Sequence, residues 1–250
     1  MKIKVLGCSG AEFPGNNLSC FLVDGRILFD AGSITNVLNE KSQLKIENIF
    51  ITHAHLDHVK GIPFLADNIA IRNKRHKVNV FSISPIINRI KKNLLNSLVW
   101  PDFALKGTLK LIELKTGQPI KIGQYTISPV RVNHSVPAVG YLVENKKKRC
   151  FFYTGDTGPS AETWKNLERK EIHCLIIEVT FPNRMEETAL KTGHLTPQLL
   201  KKEILKIKYT PEKICVSHLK PQYFKTIETE LSRLKINNLR VLRDEETITV

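Results

Sequence analysis

Short apolar runs recur along this 250-residue chain, with turn residues between them. Ile3–Leu6, Cys20–Val23, Ile27–Phe29 and Ile49–Thr52 predict strands separated by Gly-, Pro- and Asn-containing turns, and Val78–Ser82 predicts another. Pro85–Leu98 predicts a helix, because Ile86, Ile87, Ile90, Leu94, Leu95 and Leu98 keep the helical period. Strand patterns resume at Leu109–Leu114, Ile120–Ile122, Tyr125–Val132, Gly140–Val143, Cys150–Thr154 and Cys174–Val179, with a helix around Ala161–Arg169 before the last of them. Thr196-Pro197 opens a further helix, with Thr as N-cap, Pro at the first helical position and Leu199, Leu200, Ile204 and Ile207 on one face. Lys213–Val216 predicts a strand, Phe224–Leu234 a helix, and Arg240–Leu242 and Thr247–Thr249 closing strands. Two β-rich halves, each flanked by helices, predict a mixed α/β (α+β) chain folded as a four-layer αββα sandwich. No repeat, low-complexity tract or linker interrupts the pattern, so one domain is expected over residues 1–250.

The densest chemistry follows the run Ile49-Phe50-Ile51. Thr52-His53-Ala54-His55-Leu56-Asp57-His58 packs three imidazoles and a carboxylate into six residues. His53 and His55 alternate in an extended segment and can point the same way, whereas Asp57 and His58 lie past the turn and can face a second ion. Imidazole and carboxylate suit zinc, manganese or iron, and the lack of nearby cysteine argues against a structural zinc site. Further candidates stand singly at the ends of apolar runs: His134 after Val132-Asn133, Asp156 after Thr154-Gly155, and His218 after Val216-Ser217. Strand ends are where loops gather into a site on a rigid scaffold. Two metals need roughly three protein ligands each. His53, His55 and His134 can serve one ion, Asp57, His58 and His218 the other, and Asp156 can bridge them. His76 and His173 read as surface residues.

Bulk properties narrow the setting. No apolar stretch is long enough to span a membrane, and the N-terminus reads as a first strand rather than a signal peptide. The five cysteines are scattered, without a CxxC pair, which fits a reducing cytoplasm. The net charge of +14 attracts polyanions and anionic substrates, so a small nucleotide and a nucleic acid both stay open as partners. Of the basic clusters, Lys146-Lys147-Lys148-Arg149 lies between two predicted strands and reads as a solvated hairpin tip. A homodimer is the default expectation for oligomeric state.

The HxHxDH motif, followed by spaced His, Asp and His, resembles the metallo-β-lactamase superfamily, from Asp30-Ala31-Gly32 to His218. That resemblance implies the αββα fold with a dinuclear site at one edge. Finer segments look like the class II cyclic-nucleotide phosphodiesterases: Trp100-Pro101-Asp102-Phe103, His134-Ser135-Val136-Pro137, Thr154–Pro159, Glu178–Asn183, Gly193–Pro197 and Ser217–Pro221. The chain is shorter than many members of that class. The tRNase Z family shares the metal motif and a His-x-Thr element, here His194-Leu195-Thr196. This chain lacks the long Gly/Pro-rich arm of that family and has Asp30-Ala31-Gly32-Ser33 in place of its Gly-Glu-Gly-Thr run. A β-lactamase, a glyoxalase-type thiolesterase and a metal-free nucleic-acid-binding relative fit the motif set less well.

The expected chemistry is phosphodiester hydrolysis, with cAMP as the representative substrate. A paired metal site lowers the pKa of bound water to about 7, which supplies a bridging hydroxide for in-line attack on phosphorus. Asp57 is a terminal ligand and a hydrogen-bond partner of that hydroxide. His194 is the candidate proton donor to the leaving alkoxide, with Glu178 to orient it. Lys220 is a candidate contact for a phosphate oxygen, and Trp100 and Phe103 are candidates for stacking on a base, with core packing as their alternative. Asp30 is a candidate hydrogen-bond partner of a ligand histidine.

Overall fold

The apolar runs form two seven-stranded sheets in a computed structural model that describes residues 1–250. The first sheet holds β1 (Lys2–Gly7), β2 (Cys20–Val23), β3 (Ile27–Phe29), β4 (Asn48–Phe50), β5 (Val78–Ile83), β6 (Leu109–Leu114) and, from the end of the chain, β14 (Thr247–Thr249). The second holds β7 (Ile120–Ile122), β8 (Tyr125–Arg131), β9 (Val139–Asn145), β10 (Cys150–Tyr153), β11 (Cys174–Glu178), β12 (Lys213–Ser217) and β13 (Leu239–Val241). Their orders are β14-β1-β2-β3-β4-β5-β6 and β13-β12-β11-β10-β9-β8-β7. Strands β3 to β6 pair in parallel, as do β10 to β13, while β7 to β10 form an antiparallel meander. Parallel strands are covered on both faces, which is why β3, β4, β10 and β11 are apolar and buried along most of their length.

Helices lie outside both sheets. α1 (Glu40–Gln43), α2 (Leu56–Val59), α3 (Gly61–Arg72) and α4 (Ser84–Asn93) belong to the first half, and α5 (Ala161–Leu167), α6 (Glu186–Thr192), α7 (Pro197–Ile204) and α8 (Phe224–Ser232) to the second. One apolar cluster joins the inner faces of both sheets and extends to Ile62, Leu65 and Ile69 of α3 and Ile86 and Ile90 of α4. A second joins the outer face of the second sheet to Trp164 and Leu167 of α5, Leu199 and Leu200 of α7, and Ile227 and Leu231 of α8. The result is the expected α/β sandwich of four layers. At its centre Phe50 stacks between Phe29, at 5.3 Å, and Phe81, at 4.7 Å, while Tyr141 of the opposite sheet meets Phe50 edge-on at 5.3 Å.

Differences from the sequence reading have local causes. The helix expected over Pro85–Leu98 stops at Asn93. The Asn93 and Asn96 side-chain amides bond the carbonyls of Arg89 and Lys92, and Ser97 takes a φ of 63°, so the chain leaves the helix despite its apolar spacing. The helix α3 was not expected, because Gly61 and Pro63 disguise it. Pro63 falls in the first turn, where its missing N–H costs no helical bond, and Ile62, Leu65, Ala66 and Ile69 then keep the helical period. The Lys146–Arg149 segment does cap the β9–β10 hairpin. His76 and His173, read as surface residues, are half-buried: His76 bonds the Ile46 carbonyl at 2.7 Å, and the Cys150 N–H donates to His173 at 3.2 Å.

Phe50 joins the two sheets through its edge-on contact with Tyr141, while Phe29 and Phe81 flank it within its own sheet. Phe50→Ala is expected to cost about 3–5 kcal/mol of stability, seen as a lower midpoint of urea unfolding. An unchanged midpoint would contradict the central position given to this ring.

Candidate metal centre

The C-terminal ends of β3, β4, β8, β10, β11 and β12 share one edge of the sandwich, because these strands run in the same direction within their sheets. Asp30, His53, His134, Asp156 and His218 lie just beyond β3, β4, β8, β10 and β12, and Glu178 ends β11. Open α/β sheets place their ligand crevices at such ends. His55 is the N-cap of α2, so Asp57 and His58, past the turn, stand on a one-turn helix.

The predicted ligands form two groups. In one, His55 Nδ1 lies 3.0 Å from His53 Nε2 and 3.4 Å from His134 Nε2, and His53 Nε2 lies 3.5 Å from Asp156 Oδ2. In the other, His218 Nε2 lies 3.4 Å from both His58 Nε2 and Asp57 Oδ2. Asp156 Oδ1 faces this second group, 3.3 Å from His58 Nε2 and 3.4 Å from His218 Nε2. One carboxylate therefore presents one oxygen to each group, as a bridging residue would.

The imidazoles are oriented from behind. His58 Nδ1–H donates to Asp30 at 2.7 Å, His134 Nδ1–H to the Gly193 carbonyl at 2.9 Å, and His218 Nδ1–H to the Thr180 hydroxyl at 2.9 Å. His53 Nδ1 meets Thr52 Oγ1 at 3.1 Å, while that hydroxyl donates to Asp30. These bonds leave the Nε2 lone pairs of His53, His58, His134 and His218 aimed into the site, which is the tautomer a metal requires. Asp30 also accepts from Thr52 N–H at 2.8 Å and from the Tyr153 hydroxyl at 2.7 Å, so both sheets hold it.

This donor set fits divalent metal ions. Asp156 is 2% exposed, and its Oδ1 is buried without a hydrogen-bond donor. A buried carboxylate oxygen facing inward-aimed imidazole lone pairs lacks a positive partner, and a cation supplies it. Burial pushes the His53 imidazole well below its ordinary pKa, which favours the neutral ligand form.

A second constellation adjoins the first. His194, half-buried, donates from Nδ1 to Glu178 Oε1 at 2.7 Å. Burial opposes its positive charge, but the Glu178 carboxylate overcomes this and pushes His194 up to about 8. The other oxygen of Glu178 accepts from the Thr180 hydroxyl at 2.8 Å and from Leu195 N–H at 3.2 Å. Lys220 donates to the Gly10 carbonyl, and its charge lowers the pKa of His194. The two aromatic candidates stand differently. Phe103 is 2% exposed within the main core, so its ring is taken up by packing and the base-stacking role does not hold for it. Trp100 is half-buried, edge-on to Phe64 at 5.4 Å.

The sequence reading missed Thr52, Tyr153 and Thr180 as supports. Glu178 and Thr180 are two residues apart, a spacing that turns side chains to one side in extended chain, so that pair had a sequence signal. Tyr153 reaches Asp30 across 123 residues and had none.

The chain is similar to known proteins in sequence and in fold. The chain is 28% identical over 206 residues to a probable 3′,5′-cyclic-nucleotide phosphodiesterase of Yersinia pestis, covering 71% of this chain and 58% of that protein, so it spans less than two thirds of that relative. It is 27% identical to a ribonuclease Z of Methanococcus maripaludis, covering 78% of this chain and 81% of the relative. Among solved structures, unliganded yeast PDE1 superposes with a TM-score of 0.86 at 18% identity, over 100% of this chain and 99% of the other. The short form of human tRNase Z gives a TM-score of 0.74 at 20% identity over 100% and 99%. Residues 25–218 match the family described as the Beta-lactamase superfamily domain, and the chain belongs to that family as a metallo-β-lactamase-fold hydrolase.

Proposed function

We propose that the chain is a dinuclear divalent-metal phosphodiesterase that hydrolyses the 3′-phosphoester bond of a cyclic nucleotide such as cAMP. The observation that carries this reading is the single buried carboxylate, Asp156, facing two separate ligand groups beside the His194–Glu178 pair. His53, His55 and His134 would hold one ion, Asp57, His58 and His218 the other, and Asp156 both. Zinc suits the imidazole-rich set best, and manganese and iron use the same donors. Ions bound there would lower the pKa of attacking water and offset negative charge on the phosphoryl oxygens.

The protein groups perform the rest. Asp57, the more exposed carboxylate at 29%, can accept a hydrogen bond from the attacking water as well as serve as a ligand. His194 donates the proton to the leaving 3′-alkoxide, and Glu178 keeps it charged and oriented. Lys220 adds positive potential next to the donor, and Trp100 stays a candidate wall for the base. One domain over residues 1–250, a homodimer and a cytoplasmic setting complete the proposal. No helix is long and apolar enough to cross a membrane.

A second reading is RNA cleavage. The net charge of +14 and the ribonuclease Z relatives favour it, and the same residues would serve. Metal-reconstituted protein incubated with 3′,5′-cAMP and with a 3′-extended tRNA precursor separates the two. Conversion of cAMP to 5′-AMP with intact RNA is the expected result; RNA cleavage with untouched cAMP would transfer the conclusion to the second reading.

Two substitutions test the chemistry. Asp156→Ala should lower the bound metal below two ions per chain by elemental analysis and abolish turnover, whereas full activity would remove the bridging assignment. His194→Ala should slow an alkoxide leaving group by about 10²–10⁴-fold. It should slow p-nitrophenolate, which needs little proton assistance, far less, and equal losses on both would remove the donor role.

A further inference from the structure

One hydroxyl touches both constellations. Thr180 Oγ1 lies 2.9 Å from His218 Nδ1, 2.8 Å from Glu178 Oε2 and 3.1 Å from His194 Nδ1. Thr180 is fully buried and Glu178 is 1% exposed, so no water competes for these bonds. A hydroxyl has one proton to give. The Glu178 carboxylate accepts only, so the hydroxyl proton goes to Oε2. The Thr180 oxygen is then an acceptor, and the group 2.9 Å away that can fill it is His218 Nδ1–H. His194 Nδ1–H is already committed to Glu178 Oε1 at 2.7 Å. The arrangement that satisfies Thr180 and Glu178 together puts hydrogen on the Nδ1 of both histidines.

We propose that Thr180 is a positioning residue that couples the second metal group to the proton donor, by fixing the tautomer of His218 through the carboxylate that also holds His194. The proposal rests on the dinuclear reading above. The same carboxylate reaches the bridging residue as well, since Glu178 Oε1 accepts from the N–H of Thr157, next to Asp156, at 3.2 Å. Glu178 therefore orients His194, His218 and the Asp156 loop together, and Thr180 is the link to His218.

Neighbours give His218 no substitute. Its backbone has a φ of 63°, its N–H is bonded to the Cys8 carbonyl at 2.6 Å, and Gly10 lies so close that an added Cβ would stand 2.9 Å from His218 Nδ1. Without the Thr180 oxygen the imidazole has no buried acceptor on the Nδ1 side. The tautomer with hydrogen on Nε2, which cannot bind metal, then becomes competitive.

Thr180→Val keeps the shape and removes the hydroxyl, and Thr180→Ser keeps the hydroxyl. With wild-type protein taking two ions per chain, Thr180→Val is expected to bind the second about 10–100-fold more weakly in a competitive chelator titration. Thr180→Ser should restore tight binding, which a purely space-filling role for threonine would not produce. A second-ion affinity in Thr180→Val unchanged from wild type would overturn the coupling and leave the dinuclear reading intact. Wild-type protein that takes up no ion would overturn the dinuclear reading and the coupling with it. Nitrogen-15 spectra of histidine-labelled wild-type protein test the same point without a variant: hydrogen on Nδ1 of His218 is expected, and hydrogen on Nε2 would overturn the proposal.

Discussion

The burial of Asp156 governs this structure. A carboxylate removed from water costs several kcal/mol unless positive charge and hydrogen bonds replace its hydration. Burial opposes ionisation of Asp156; positive charge on His218 and His58 would outweigh it, but imidazoles with their Nε2 lone pairs turned inward carry none, so that charge falls to a cation. Its Oδ1 has no hydrogen-bond donor. The imidazole nitrogens around it are turned inward by bonds made on their far sides. Such a cluster is electrostatically complete only with cations in it, which links metal binding to the stability of the whole edge.

The sandwich exists, for this purpose, to bring strand ends from two sheets to one place. Asp30 is the clearest joint. It leaves β3 of the first sheet and accepts the hydroxyl of Tyr153 from β10 of the second, while also holding His58. Three residues at this edge take left-handed backbone: Asp30 at φ 57°, Gly155 at 60° and His218 at 63°. Each follows a strand directly or within two residues and turns the chain sharply, at the edge where Asp30, Asp156 and His218 come together. For Asp30 and His218 this conformation carries strain, which their buried hydrogen bonds hold in place. Gly155 avoids it, and an added Cβ there would stand 2.6 Å from Thr52 Cβ, beside the Asp30 network.

The chain carries a net charge of +14. Several cations are paired at the surface, including Arg149 with Glu212, Lys148 with Glu144 and Arg243 with Glu228. Pairs this exposed contribute little stability. The remaining excess acts as a long-range field that attracts anions and falls off with salt.

Sequence alone determined the parts whose signals are local. Strand positions followed from apolar runs, α7 from its Thr196-Pro197 start, and the candidate cluster of His and Asp from their spacing beyond strand ends. Hydrophobic period and residue chemistry are properties of neighbours in the chain. Helix α3 escaped because Gly61 and Pro63 conceal a period that packing against the sheet restores, and the end of α4 was set by side-chain amides competing for its carbonyls. The fate of Phe103 in the core, the hold of Tyr153 on Asp30, and the meeting of His218 with Glu178 through Thr180 were decided by tertiary structure alone. Each depends on which strand ends become neighbours, and that follows from the burial of both sheets against one another rather than from any segment's own preference.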